Sequence, residues 1–121
     1  MIKIQNSKKF DLEERTFNFA KNCRKLVKQL EKNVENIEDG KQLVRSSGSV
    51  HSNYIEACEA LSKIDFYHRI KICRKEAKES RSWLRLLDIE NNSKLNILRI
   101  ELINEAEELT KIFGSIITRA K

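Results

Sequence analysis

The residues of this chain whose type and spacing could carry chemistry are mostly cations. Lys71, Arg74, Lys75, Lys78, Arg81 and Arg85 recur at steps of three and four, which on a helix gathers them into one broad arc. No acidic residue falls within that arc, and Glu76 and Glu79 lie on the other flank. A rigid row of this kind contacts successive phosphates and gives salt-sensitive, largely sequence-independent binding. The same pattern describes a solvated outer face kept basic for solubility, so both readings stand.

Catalytic constellations are sparse. Di-iron bundles need Glu-x-x-His on two helices, and no Glu stands three residues before His51 or His68. There is no Gly-rich phosphate loop, nucleophile motif or paired-cysteine zinc pattern, so no metal or cofactor is expected. Arg45 and His51 have the loose Arg-x5-His spacing of some helical ribonucleases of the HEPN class. Six residues on one helix separate two side chains by about 120°, so the pair converges only if two copies meet. A solvated His51 is the plainer reading. Cys23, Cys58 and Cys73 each fall at an apolar helical position, which reads as buried thiols in a reducing compartment.

A second flank of the same cationic segment carries Ile72, Trp83 and Leu86 beside Glu76 and Glu79. Apolar residues beyond a central stripe, with the sole tryptophan among them, fit a subunit interface; Trp83 capping the edge of an internal core fits equally. A third feature is small and polar. Ser46, Ser49 and Asn53 edge the stripe of the preceding segment. A turn near residues 63 to 65 would set Asn53 level with Glu76 and Ser49 level with Ser80. An Asn53–Glu76 hydrogen bond would then fix helix register in a buried polar network.

The elements that must position these groups are helices. The chain has 121 residues, 40% hydrophobic and 35% charged, with no proline and three glycines, so long helices joined by short polar turns are favoured over strands. Asp11-Leu-Glu-Glu14 has the form of a capping box and predicts the start of helix one, leaving residues 1–9 as a flexible basic tail without the apolar run of a signal peptide. Thr16, Ala20, Cys23, Val27, Leu30 and Val34 form its stripe, and the polar run Glu31 to Asp39 predicts the first turn. Leu43, Ser47, Val50, Tyr54, Ala57 and Leu61 carry helix two across a Ser- and Gly-rich centre that propensity alone would leave as a loop. Ser62-Lys-Ile-Asp65 caps helix three, whose stripe runs Phe66, Ile70, Cys73, Ala77, Ser80, Leu84, Leu87. Glu90-Asn-Asn-Ser93 separates it from helix four, with Leu95, Leu98, Leu102, Ala106, Leu109, Phe113, Ile116 and Ala120. Four amphipathic segments joined by short turns predict a single all-α domain over 1–121, an antiparallel up-down-up-down four-helix bundle. The formal charge of +6 suits an anionic partner, and no stretch approaches the roughly 20 apolar residues of a membrane span. A soluble, cytoplasmic protein is expected.

In order along the chain, Asp11-Leu-Glu-Glu-Arg-Thr-Phe17, Gln42-Leu-Val-Arg-Ser46, Ser49-Val50, Asn53-Tyr-Ile-Glu-Ala57, Ser62-Lys-Ile-Asp-Phe66, Lys75-Glu-Ala-Lys-Glu79 and Trp83-Leu84 form a set. From about Phe10 to the end, the chain resembles the bacterial four-helix-bundle family encoded in intervening sequences of 23S ribosomal RNA genes. That family includes the accessory variability determinants of diversity-generating retroelements, which form barrel-like homopentamers and bind nucleic acid and a reverse transcriptase. The resemblance therefore implies a non-enzymatic homopentamer that binds RNA or DNA, with a reverse transcriptase or other protein as a further partner; nothing in these residues indicates a place in the ribosome. One departure is His51, which stands where the family usually has a small residue; this predicts His51 facing outward or toward a subunit boundary. A scaffold for an acidic protein, without nucleic-acid binding, is the main alternative.

Overall fold

A computed structural model describes residues 2–119, with side chains from Leu12 to Arg119. It contains α1 (Ile2–Gln29), α2 (Val34–Cys58), α3 (Lys63–Leu86) and α4 (Ser93–Arg119), and no strand among the described residues. Around one core, α1 packs on α2 and α4, and α3 packs on the same two, while the backbones of the diagonal pairs stay apart and side chains such as Tyr54 and Phe113 meet between them. The core is filled by Phe19, Leu26, Leu43, Ile70, Leu84 and Phe113, all essentially removed from solvent. Each such side chain contributes about 1.5–3 kcal/mol of burial, so the stripe of every helix is what holds it.

Three boundaries differ from expectation. The first helix begins at Ile2 instead of Asp11, because nothing between Ile2 and Phe10 breaks a helix and a capping box is only a local option. The side chains of the basic segment 1–9 and of Asp11 lie outside the described residues, as does Ala120. The first turn is confined to residues 30–33. Asn33 caps α2 by accepting the Asn36 amide at 2.8 Å, and the polar run from Val34 onward is helical, with Glu35 complementing the helix dipole. Finally, α2 stops at Cys58, so Leu61 belongs to the turn and is 99% exposed.

The Ser- and Gly-rich centre of α2 is helical, as its unbroken apolar phase predicts. Its small residues serve close approach to α1: a Cβ at Gly48 would stand 3.0 Å from Arg24 Nη2. The cap of α3 is also as predicted, with Ser62 Oγ accepting the Asp65 amide at 3.1 Å. Contacts between successive helices run in opposite residue order. Thr16 meets His51 and Val27 meets Gly40; Ser46 meets Ser80 and Asn53 meets Arg69; Arg74 meets Gly114 and Arg81 meets Glu107. At one end Asn36, 3% exposed, ties two turns together. Its Nδ2 donates to the Glu31 and Asp88 carbonyls at 3.0 and 2.9 Å, and its Oδ1 accepts the Asp88 amide at 2.8 Å.

Candidate nucleic-acid interface

The apolar stripe of α3 turns Ile70, Cys73, Ala77, Ser80 and Leu84 inward, and this fixes where the cations go. Lys71, Arg74, Lys75, Lys78 and Arg85 are exposed, and among the described residues none of them has an ion-pair partner. Arg81 differs. It is half-buried and its Nε donates to Glu107 of α4 at 2.6 Å, so the acid-free arc of α3 is crossed by a carboxylate from the neighbouring helix. The arc is thereby split, with Lys71 to Lys78 on one side of the ion pair and Arg85 on the other. Arg74 lies across α4, where a Cβ at Gly114 would stand 3.5 Å from its Nε. Two open grooves flank it. One of about 700 Å³ is lined by Arg74, Lys111, Gly114, Ser115, Ile117, Thr118 and Arg119. The other, of about 320 Å³, is lined by Lys71, Arg74, Lys75, Lys78, Glu79 and Ile117.

The opposite flank of α3 faces α2. Ile72 and Trp83 are half-buried and Leu86 is 60% exposed. Trp83 packs against the core, yet its indole Nε1 is buried with no hydrogen-bond partner among the described residues. Glu76, one heptad earlier, is buried and its Oε1 likewise accepts no hydrogen bond among the described residues. Arg45 approaches it only to 3.9 Å while lying 3.5 Å from Glu79.

The polar network is corrected by this geometry. No Asn53–Glu76 bond forms. Asn53 Oδ1 accepts from Arg69 at 3.0 Å and its Nδ2 donates to Ser49, while Ser46, not Ser49, meets Ser80 Oγ at 2.8 Å. The cause is the turn: α2 ends at Cys58 and α3 starts at Lys63, so the pivot lies earlier than residues 63 to 65 and the α3 residue facing Asn53 moves from Glu76 to Arg69. His51 is not simply solvated. It is half-buried at α1, with Nδ1 2.9 Å from Thr16 Oγ1 and its ring edge-on to Phe17. Since Thr16 Oγ1 also donates to the Glu13 carbonyl at 3.1 Å, the consistent pattern has His51 Nδ1–H as the donor. Arg45 turns to α3 and His51 to α1, so the two do not converge within one subunit. Cys23 and Cys73 are buried, and burial pushes both thiols up to about 12; Cys58 is half-buried.

With this arrangement in place, comparison with known proteins is informative. The model of the 23S rRNA-intervening sequence protein family matches residues 8–115. The chain belongs to that family. Its structure is similar to the crystal structure of a protein of unknown function from the S23 ribosomal protein family of Bacteroides thetaiotaomicron. The two share 29% identity with a TM-score of 0.75, over 92% of this chain and 98% of that one. A search of the curated proteins finds no match.

In this member of the 23S rRNA-intervening sequence protein family, two groups of residues escaped the reading of the sequence. Lys111 and Arg119 line the larger groove from α4, a helix read only for its apolar stripe. Their wheel positions gave no signal, because Lys111 falls about 160° from Phe113 and Arg119 about 160° from Ile117. The missing hydrogen bonds of Glu76 Oε1 and Trp83 Nε1 likewise had no sequence signal, since they depend on which neighbours reach them. Among the described residues, no group of His, Cys, Asp or Glu is placed to hold a metal ion, and no helix is long and apolar enough to cross a membrane.

Proposed function

We propose that this chain is a non-enzymatic, homo-oligomeric, antiparallel up-down-up-down bundle that binds nucleic acid through phosphate contacts. The observation that carries the reading is the exposed row Lys71, Arg74, Lys75 and Lys78, held on one rigid helix and without ion-pair partners among the described residues. The reversed order of the contacts between successive helices supports the antiparallel topology. The pentameric number and a reverse-transcriptase or RNA-processing partner rest on the family resemblance. The Trp83 Nε1, without a hydrogen-bond partner among the described residues, and the exposed Leu86 support the assembly face.

Retention of a labelled single-stranded RNA, followed by fluorescence anisotropy, tests the binding. Each phosphate neutralised on a single strand adds about 0.7 to the salt slope, so contacts from these α3 cations alone predict a loss of about 50-fold in affinity between 50 and 200 mM salt. Arg74→Glu with Lys78→Glu should abolish retention at low salt. Equal retention by that variant would remove the face from the assignment, and a wild-type protein that holds no RNA or DNA would leave the scaffold for an acidic protein in its place.

A further inference from the structure

The geometry points to the seam between α3 and α4, rather than the outer face of α3, as the phosphate site, with a single strand as its occupant. This rests on the nucleic-acid reading above and deepens it by adding α4 residues and a strand preference. Arg74 and Ile117 line both grooves, so the two are halves of one depression with the guanidinium at its centre. Lys71 and Lys78 stand on the α3 bank, and Lys111 and Arg119 on the α4 bank. Gly114 is what lets the two banks close on Arg74, because the α4 surface beside the guanidinium carries no side chain.

The acidic groups nearby do not close the site. Lys111 is held by Glu108 at 3.6 Å, but both side chains are well exposed, and such pairs are worth little in water. Glu79 lines the smaller groove and is engaged by Arg45 at 3.5 Å. Glu107 is taken by Arg81 at 2.6 Å, which ends the depression on that side. Thr118 spends its hydroxyl proton on the Gly114 carbonyl at 2.9 Å, so the hydroxyl donor left on that bank is Ser115.

Shape selects the strand. Volumes of about 320 and 700 Å³ are those of sites that take in a small molecule, so a phosphate and its nucleoside can enter between the banks. The half-buried Ile117 offers an apolar floor to a base or sugar. A duplex is too stiff to bend into a seam of this size and lies across its rim, leaving the half-buried Ile117 floor unused.

The test is anisotropy titration of a fluorescein-labelled single-stranded RNA, and of a duplex of equal length, against the full chain. With α4 contributing two further contacts, raising salt from 50 to 200 mM should weaken single-strand binding about 300-fold, against about 50-fold for α3 alone. The variant Lys111→Glu with Arg119→Glu should bind at least ten-fold more weakly and return the slope to the α3-only value. Gly114→Glu places a carboxylate against Arg74 while improving helix propensity; it should weaken binding about ten-fold, and Gly114→Gln less than three-fold. Circular dichroism melts identify any variant that fails to fold, and the two α4 approaches are independent of each other. If the α4 variants bind as wild type does while Arg74→Glu with Lys78→Glu does not, the seam is wrong and the α3 face stands. Tighter binding of the duplex than of the strand overturns the strand preference. If no variant changes binding, the seam and the α3 face fall together; if the wild-type chain holds neither strand nor duplex, the nucleic-acid reading itself falls.

Discussion

Replacing Trp83 by phenylalanine should have opposite effects on folding and on assembly, and the difference decides whether its flank is an interface. In an isolated subunit the buried indole N–H has no acceptor among the described residues, which costs about 1–3 kcal/mol. Trp83→Phe removes that cost and gives up part of one ring, about 1 kcal/mol of burial. The isolated subunit should therefore be unchanged or stabilised by up to about 2 kcal/mol. If a neighbouring subunit supplies the acceptor, the same change removes a hydrogen bond worth about 0.5–1.5 kcal/mol at every interface, roughly a two- to twelve-fold loss in each association constant. In a closed ring these losses multiply with the number of interfaces. Sedimentation velocity over a hundred-fold concentration range reads the second effect, and urea unfolding reads the first. Trp83 is the only tryptophan, so its emission in the wild-type protein should also shift to the red when dilution separates subunits. A Trp83→Phe protein that is more stable in urea and sediments as wild type at every concentration would refute the reasoning: Trp83 would then only cap the core edge.

Two further outcomes follow from single sites. Burial raises Cys23 and Cys73 to about 12 from 9.0, so the folded chain keeps both thiols protonated after the unfolded chain has begun to ionise. Their stabilising contribution is complete below pH 9 and is lost as pH rises from 9 toward 12, by roughly 1.4 kcal/mol per thiol at pH 10. Urea melts at pH 8 and pH 10 should show this fall, and it should shrink in the Cys23→Ala, Cys73→Ala double variant; an equal fall would assign it to other groups. Asn36→Ala leaves the Asp88 amide and two carbonyls without their partner in a nearly sealed turn, which should cost about 2–3 kcal/mol in the same assay.

The helices themselves were legible because their apolar phase is strong. Ser46 and Ser47 in the weakest stretch are buried as that phase requires, despite poor helix propensity. Ends were less legible. Ile2–Phe10 offers no breaker, so a capping box at Asp11 had no power to start the helix there. Leu61 continued the four-three repeat into a turn, since periodicity alone carries no signal for where a helix stops. That one boundary then displaced the α2–α3 register and with it the partner assigned to Asn53. The cations of α3 were readable as an arc, but the loss of Arg81 to Glu107 and the arrival of Lys111 and Arg119 depend on a second helix. No pattern within α3 encodes them.

The two flanks of α3 divide its work by charge. Toward α2, Glu76, Glu79 and Trp83 form a patch that is acidic and partly apolar, with Arg45 shared between the two carboxylates and the Trp83 indole N–H without a hydrogen-bond partner among the described residues. Toward α4 lie the cations, and every acid that reaches them is already paired with Arg45, Arg81 or Lys111. In a chain of net charge +6, subunits brought together by their basic faces would repel, whereas contact through the acidic flank keeps those faces apart. The Debye length near 8 Å at physiological salt is shorter than the ~10–12 Å diameter of a helix, so the basic faces would be largely screened from one another across the bundle yet remain open to a strand running past them. Assembly through one flank of a helix and phosphate binding through the other are thus compatible in the same molecule, and each added copy presents another basic seam to the same polyanion.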